Sequence, residues 1–214
     1  MTYSVKEMFY TLQGEGAHTG RPAVFLRFAG CNLWSGRELH REQAICNFCD
    51  TEFVGTDGQN GGKFESAGDL AKAAKSLWKS VDSNVRPYIV CTGGEPLLQL
   101  DAAAIDSLHL VGFEIGVETN GTIAAPAGID WLCVSPKANS TLTQVSGNEL
   151  KLVFPQEEDA VQPACLVQLE FEYFFLQPMD GPMLSENTQR AIEYCLQNPQ
   201  WRLSVQTHKV VGLE

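Results

Sequence analysis

Short runs rich in Val, Ile, Phe and Tyr alternate along the chain with stretches of helical period. The pattern predicts strands over residues 23–28, 88–92, 113–118, 131–135, 149–154, 173–177 and 202–207. Helices are expected over 67–79, about 98–110, 157–169 and 184–198, the last opened by Ser185 and Glu186 and stopped by Pro199. Strand runs that are apolar throughout and separated by helices predict a parallel βα-repeat sheet covered on both faces. In such sheets and barrels the chemistry sits at the C-terminal strand ends. Polar residues gather at those ends: Thr92-Gly93-Gly94-Glu95-Pro96, Glu118-Thr119-Asn120-Gly121, Ser135-Pro136-Lys137, Gln177-Pro178-Met179-Asp180 and Gln206-Thr207-His208-Lys209. Any one could be a turn; all on one rim point to a site. Residues 56–62 (TDGQNGG) are expected to form a flexible polar loop. No repeat, low-complexity segment or internal boundary interrupts the chain, so residues 1–214 are expected to form a single domain.

Composition narrows the partners. With 15 Lys and Arg against 26 Asp and Glu the formal charge is −11, which argues against a nucleic-acid or anionic-membrane surface. At 44 % hydrophobic and 19 % charged residues the chain has the profile of a folded globular protein. No apolar run reaches the ~18 residues of a membrane span, and MTYSVKEMFY has no signal-peptide pattern. A cytoplasmic location is expected.

There are 7 cysteines, and in a cytoplasmic chain disulfides explain them poorly. Cys91, Cys133, Cys165 and Cys195 lie in apolar or helix-like surroundings and are expected to be small core hydrophobes. Cys31 is followed after a long gap by Cys46-Asn47-Phe48-Cys49. A CxxC pair fits zinc, a redox dithiol or an iron–sulfur cluster. His40 could complete a Cys3His zinc site. A thioredoxin-like dithiol is less apt, because its CxxC should open a helix, whereas strand-like sequence follows Cys49 here. Three thiolates on a four-iron cluster would leave one iron open for a small molecule.

Three cysteines ahead of a strand ending in Gly93-Gly94-Glu95-Pro96 resemble the radical S-adenosylmethionine (AdoMet) superfamily. The gap between Cys31 and Cys46 is longer than the superfamily's usual spacing. Further motifs point within the superfamily: Phe9 to Gly16 (FYTLQGEG), Phe25 to Trp34 (FLRFAGCNLW), Cys49-Asp50-Thr51, and the rim segments named above. Together they are similar to the 7-carboxy-7-deazaguanine synthase family, some of whose members carry the same long gap. The resemblance implies an α/β fold, a partial parallel (β/α)6-type barrel reduced in size, with residues 32–45 inserted as a turn or short helix around the cluster. It also implies ring contraction of 6-carboxy-5,6,7,8-tetrahydropterin to 7-carboxy-7-deazaguanine with loss of ammonia, on the way to queuosine and other deazapurines. An electron passed from the cluster to AdoMet would start the reaction, and hydrogen abstraction at C6 of the pterin would follow.

The site residues follow from that resemblance. Cys31, Cys46 and Cys49 would hold [4Fe–4S]. Phe48, Asp50, Gly94, Glu95, Ser135, Pro136, Lys137, Gln177, Pro178, Met179 and Asp180 would bind AdoMet. Leu12, Gln13, Gly14, Glu15, Arg27, Thr92, Glu118, His208 and the chain end at Glu214 would surround the substrate. Arg27 suits the substrate carboxylate, because a planar guanidinium can donate two parallel hydrogen bonds. Thr51 would ligate Mg²⁺, a hard cation that often uses few protein groups. An electron donor such as flavodoxin or ferredoxin and a homodimer are implied as partners. The alternatives are a glycyl-radical activating enzyme and a Cys3His zinc-binding interaction module.

Overall fold

The computed structural model describes residues 2–80, 82, 84–157 and 159–213. Their strands are β1 (Tyr3–Leu12), β2 (Pro22–Phe28), β3 (Gly62–Phe64), β4 (Tyr88–Gly93), β5 (Glu114–Thr119), β6 (Trp131–Val134), β7 (Ser146–Phe154), β8 (Glu170–Pro178) and β9 (Trp201–Leu203). The helices are α1 (Ala67–Leu77), α2 (Ala102–Leu110), α3 (Pro163–Leu166), α4 (Leu184–Gln197) and α5 (Thr207–Val211). All strands join one sheet in the order β3-β1-β2-β4-β5-β6-β7-β8-β9. From β2 through β9 every ladder is parallel, while β1 runs antiparallel to both β2 and β3. No ladder joins β3 to β9 among the described residues, so the architecture is a partial barrel. No helix among them is long and apolar enough to cross a membrane.

The period-2 pleat divides each strand between two environments. Val24, Leu26 and Phe28 of β2, Ile89 and Cys91 of β4, and Ile115 and Val117 of β5 pack with Leu70, Ala71 and Ala74 of α1 and Ala104, Ile105 and Leu108 of α2. Leu150, Leu152 and Phe154 of β7 pack with Leu176 of β8, Leu166 of α3 and Ala191 of α4. Each large aliphatic side chain buried this way contributes about 1.5–3 kcal/mol, so the outer layer can carry a polar inner face. That inner face corrects the expectation of cover on both sides: Arg27, Thr92, Glu118, Lys151 and Gln177 line a cavity instead.

Several elements differ from the sequence pattern for identifiable reasons. A register shift between Val5 and Glu7 breaks the alternation of β1, so its apolar positions do not read as a strand. The helix expected over 157–169 is only a 3₁₀ turn at Asp159–Val161 and the short α3, because Pro163 holds Gln162 extended (φ −73°, ψ 142°). The helix expected from about 98 starts at Ala102, where Asp101 accepts from the Ala104 amide at 2.9 Å. In α4 the N-cap is Met183, and Ser185 lies inside the helix. The run 202–207 stops as a strand at Leu203, and Thr207 opens α5. Loop 56–62 is tied to β1: the Met8 amide donates to the Gln59 carbonyl at 2.8 Å, and Lys6 bonds Asp57 at 2.9 Å. Of the cysteines read as core, Cys91 and Cys133 are buried, Cys195 is half-buried and Cys165 is exposed on the four-residue α3.

Candidate active site

The parallel strands deliver their C-terminal ends to one rim, where a cavity of about 450 Å³ opens between the rim and the inner sheet face. On one side stands the cysteine segment. β2 leads into Cys31, and residues 32–45 then fold around a 3₁₀ helix at Glu38–Gln43 before Cys46 and Cys49. The insertion is fastened to the CxxC loop: Arg41 Nη1 donates to the carbonyls of Asn47 at 2.9 Å and Cys49 at 3.0 Å. The same guanidinium stacks 4.2 Å over Trp34 and pairs with Glu38. The hydrogen bond from Cys46 pushes the Cys49 thiol down to about 6, and Cys46 is correspondingly pushed up.

Gly94 packs against this segment. A Cβ there would run into the Gly30 carbonyl and lie 2.7 Å from the Cys31 Cβ, so the end of β4 meets the cysteine loop only as glycine. Glu95 turns away from the cavity and is fully buried. Its carboxylate accepts from the Leu97 amide at 3.0 Å, the Thr119 hydroxyl at 2.7 Å and the Asn120 amide at 2.8 Å, tying β4 to β5.

Across the mouth, Lys137 Nζ bonds the Ser135 hydroxyl at 2.5 Å and sits 5.9 Å from the Phe48 ring. Gln177 is buried at the end of β8, where Ser204 donates to its Oε1 at 3.1 Å. Lys209, on α5, bonds Asp50 and Asp180 at 2.6 Å each.

The deeper wall comes from β1, β2, β5 and β7. Arg27 Nε donates to Glu7 Oε1 at 2.8 Å, and Arg27 is paired in register with Thr92. Gln13 donates to Glu118 at 2.9 Å, and its own Oε1 accepts the Glu15 amide at 3.1 Å. Lys151 reaches Glu15 at 2.5 Å and Glu118 at 3.4 Å. The His208 ring occupies the space that a Cβ on Gly14 would need.

Of the residues singled out from sequence, most line this one cavity. Cys31 lies behind its wall against Gly94, and Pro136 and the fully buried Glu95 lie off the lining. Glu214 is outside the described residues.

No family model matches the chain. It is 63 % identical to a 7-carboxy-7-deazaguanine synthase of Caulobacter vibrioides and 63 % identical to one of Bradyrhizobium diazoefficiens, over the full length of both chains in each case. The enzyme of that name from Burkholderia multivorans is 57 % identical over its whole length. Among solved structures, QueE from Escherichia coli superposes with a TM-score of 0.69 at 29 % identity, covering 97 % of this chain and 95 % of that one. The chain belongs to the 7-carboxy-7-deazaguanine synthase family.

Membership makes the chain a radical AdoMet enzyme, which uses a [4Fe–4S] cluster and AdoMet. The donors present suit that cluster. Cys46 and Cys49 line the mouth, Cys31 stands behind it within electrostatic reach of them, and the Leu33 amide already donates to Cys31 Sγ at 3.4 Å. The buried indole N–H of Trp34, three residues from Cys31, has no acceptor among the described residues. The Cys3His zinc alternative is not formed: His40 is exposed and paired with Ser35 at 2.9 Å. Among the described residues no three His, Cys, Asp or Glu side chains gather around a single-ion site.

Sequence reasoning passed over several members of the site. Glu7 and Lys151 line the cavity, and Glu149 lies just beneath it. In Glu149-Leu150-Lys151-Leu152 the charges recur at every second position, which on a strand puts both on one face. Read as a simple apolar run, the segment hid them.

Proposed function

We infer that this chain converts 6-carboxy-5,6,7,8-tetrahydropterin to 7-carboxy-7-deazaguanine with loss of ammonia, a step toward queuosine and related deazapurines. The carrying observation is a single cavity lined by Cys46 and Cys49, with Cys31 behind its wall, and also by Arg27 and the Gln13, Glu15 and Glu118 cluster. Redox chemistry therefore faces a pocket equipped for a carboxylate and for a ring edge rich in N–H donors. The cluster and AdoMet, when bound, supply one-electron reduction and hydrogen-atom abstraction.

The protein's own work is positioning and exclusion of water. Glu7 takes the Nε–H of Arg27, which orients the guanidinium fork for the two oxygens of the substrate carboxylate. The backbone of Leu12 and Gly14, with Gln13, borders the guanidine-like edge, and Glu15 and Glu118 offer acceptors there. Thr92 and His208 complete that side. Gly94, Ser135, Lys137 and the segment from Gln177 to Asp180 hold AdoMet, with Phe48 against it and Glu95 and Pro136 shaping the loops. Glu95 contributes from behind, by bonding the ends of β4 and β5 together.

Mg²⁺ belongs to this reading through Thr51, which lines the cavity beside Cys49 and carries a hard hydroxyl oxygen. Asp50 is held by Lys209 and Gln206, so it supports the site from the side. Mg²⁺ should raise turnover over a chelated sample, and Thr51→Ala should lose most of that response while keeping its iron. Equal activity in excess chelator would remove the metal. The protein acts as one domain in the cytoplasm, as a homodimer supplied by a flavodoxin- or ferredoxin-type electron donor, and binds no nucleic acid.

The deciding experiment is anaerobic turnover of the reconstituted protein with AdoMet, reductant and the carboxypterin. Product identified by its ultraviolet spectrum and mass supports the reading. AdoMet cleavage with the pterin left unchanged would overturn it.

A further inference from the structure

Beneath the proposed pterin edge lies a buried ion cluster whose cation, Lys151, no step above uses. Lys151 projects from the middle of β7 with its side chain only 4 % exposed. Its ammonium bonds Glu15 Oε2 at 2.5 Å, from the turn after β1, and stands 3.4 Å from Glu118 Oε1 on β5. Gln13 donates to that same Glu118 oxygen at 2.9 Å, and Gln206 donates to the other oxygen of Glu15 at 3.0 Å. Glu149, two residues before Lys151, is held separately: it accepts from the Ala17 amide at 3.0 Å and from Cys133 Sγ at 3.5 Å. Lys151 thus joins two carboxylates from different elements that face one cavity.

Resting on the substrate assignment above, we propose that Lys151 is a positioning residue, whose ammonium fixes the Glu15 and Glu118 carboxylates as acceptors for the N–H edge of the pterin ring. An ionised carboxylate only accepts, whereas a neutral one presents an O–H that would confront ring N–H groups. Burial works against the charge on Glu15, yet the Lys151 cation lowers that carboxyl below its ordinary value, helped by Gln206 and His208. Removing one partner of a buried pair leaves the other uncompensated and free to turn or neutralise. Burial also pulls Lys151 down, but Glu118, Glu15, Cys133 and Glu149 outweigh it and raise the ammonium well above its ordinary value. A lysine in that state keeps its proton near neutral pH, which suits an orienting cation and not a proton donor to the leaving ammonia.

The test uses the reconstituted holoenzyme and the variants Lys151→Met and Lys151→Arg. Lys151→Met should raise the KM for the carboxypterin about ten-fold or more, while AdoMet cleavage without pterin stays within about two-fold and iron content is unchanged. Lys151→Arg should recover most of the lost affinity, since it restores the charge. Should the Met variant not fold, Lys151→Gln, which keeps an N–H donor but no charge, is measured in its place with the same expectation. An unchanged KM, or a fall in kcat alone, overturns the positioning role. Equal loss of pterin-free AdoMet cleavage overturns it as well, because Lys151 would then be scaffold. A wild-type enzyme that leaves the carboxypterin unchanged sinks the substrate assignment and this inference with it; wild-type turnover with an unaltered Lys151→Met KM sinks the inference alone.

Discussion

Cys46 and Cys49 line the cavity with Cys31 behind its wall, whereas Cys91 and Cys133 are buried in the sheet and Cys165 and Cys195 lie on α3 and α4. Changing any of the first three to Ala should abolish iron retention and AdoMet cleavage, as measured by iron content and release of 5′-deoxyadenosine. The same change at Cys91, Cys165 or Cys195 should preserve both. A Cys31→Ala protein that still cleaves AdoMet would reject the long-gap ligand set. Arg27 poses a different question, because its charge alone could be supplied by lysine. Arg27→Lys should keep the cluster and raise the KM for the carboxypterin by about ten-fold, since one ammonium cannot reproduce a planar two-bond fork. An unaltered KM would mean that Arg27 serves only its pair with Glu7.

At the level of the elements, the insertion of residues 32–45 buries Leu33 and Trp34 at its start, while Leu39 is 94 % exposed and no residue of its 3₁₀ helix is buried. The 3₁₀ helix reaches the site through Arg41, which spans the Asn47 and Cys49 carbonyls while stacked on Trp34, and the Cys46 amide donates to the Leu33 carbonyl at 3.3 Å. Arg41→Ala should therefore leave the fold intact but release iron to a chelator several-fold faster, because the CxxC loop loses two charge-assisted hydrogen bonds. Iron release at the wild-type rate would show that the loop is held without the insertion. Legibility from sequence follows a similar physical line. β2, β4 and β5 are dense in Val, Ile, Leu and Phe and are readable, whereas β1 is hidden by its bulge and the region 157–169 is misjudged because periodicity does not register the effect of Pro163 on its neighbour.

For the molecule as a whole, the C-terminal segment ties the two halves of the cavity together. The Thr207 amide donates to the Gly14 carbonyl at 2.9 Å, Gln206 bridges Glu15 and Asp50, and Lys209 joins Asp50 to Asp180. Lys209 lowers Asp180 and, against the opposing effect of burial, lowers Asp50; the two carboxylates raise Lys209 against its own burial. A depressed carboxylate stabilises above its unfolded value of 3.8 and loses that contribution as pH falls; a raised lysine stabilises below 10.5 and loses it as pH rises. The clasp should thus be insensitive to pH between about 7.5 and 9, yet loosen with added salt because its groups are partly exposed. Amide exchange over residues 206–213, corrected for intrinsic rates, measures both effects. Lys209→Ala should speed that exchange several-fold and remove its salt dependence, and exchange matching the wild type would show that the clasp does not hold the segment.

The chain's covalent pattern was enough to establish the strand-and-helix alternation, the polar strand ends, the three distinctive cysteines and the family they resemble, because those are local features of spacing and residue type. Through that resemblance it also pointed to Arg27, Gln13 and Glu15 as substrate-side residues. Tertiary structure decided which side of the sheet each charge faces, that Glu95 turns inward to brace β4 and β5, and that Lys151 stands between Glu15 and Glu118. Those outcomes depend on register and burial, which bring together residues far apart along the chain, and a short-range pattern holds no record of such a meeting.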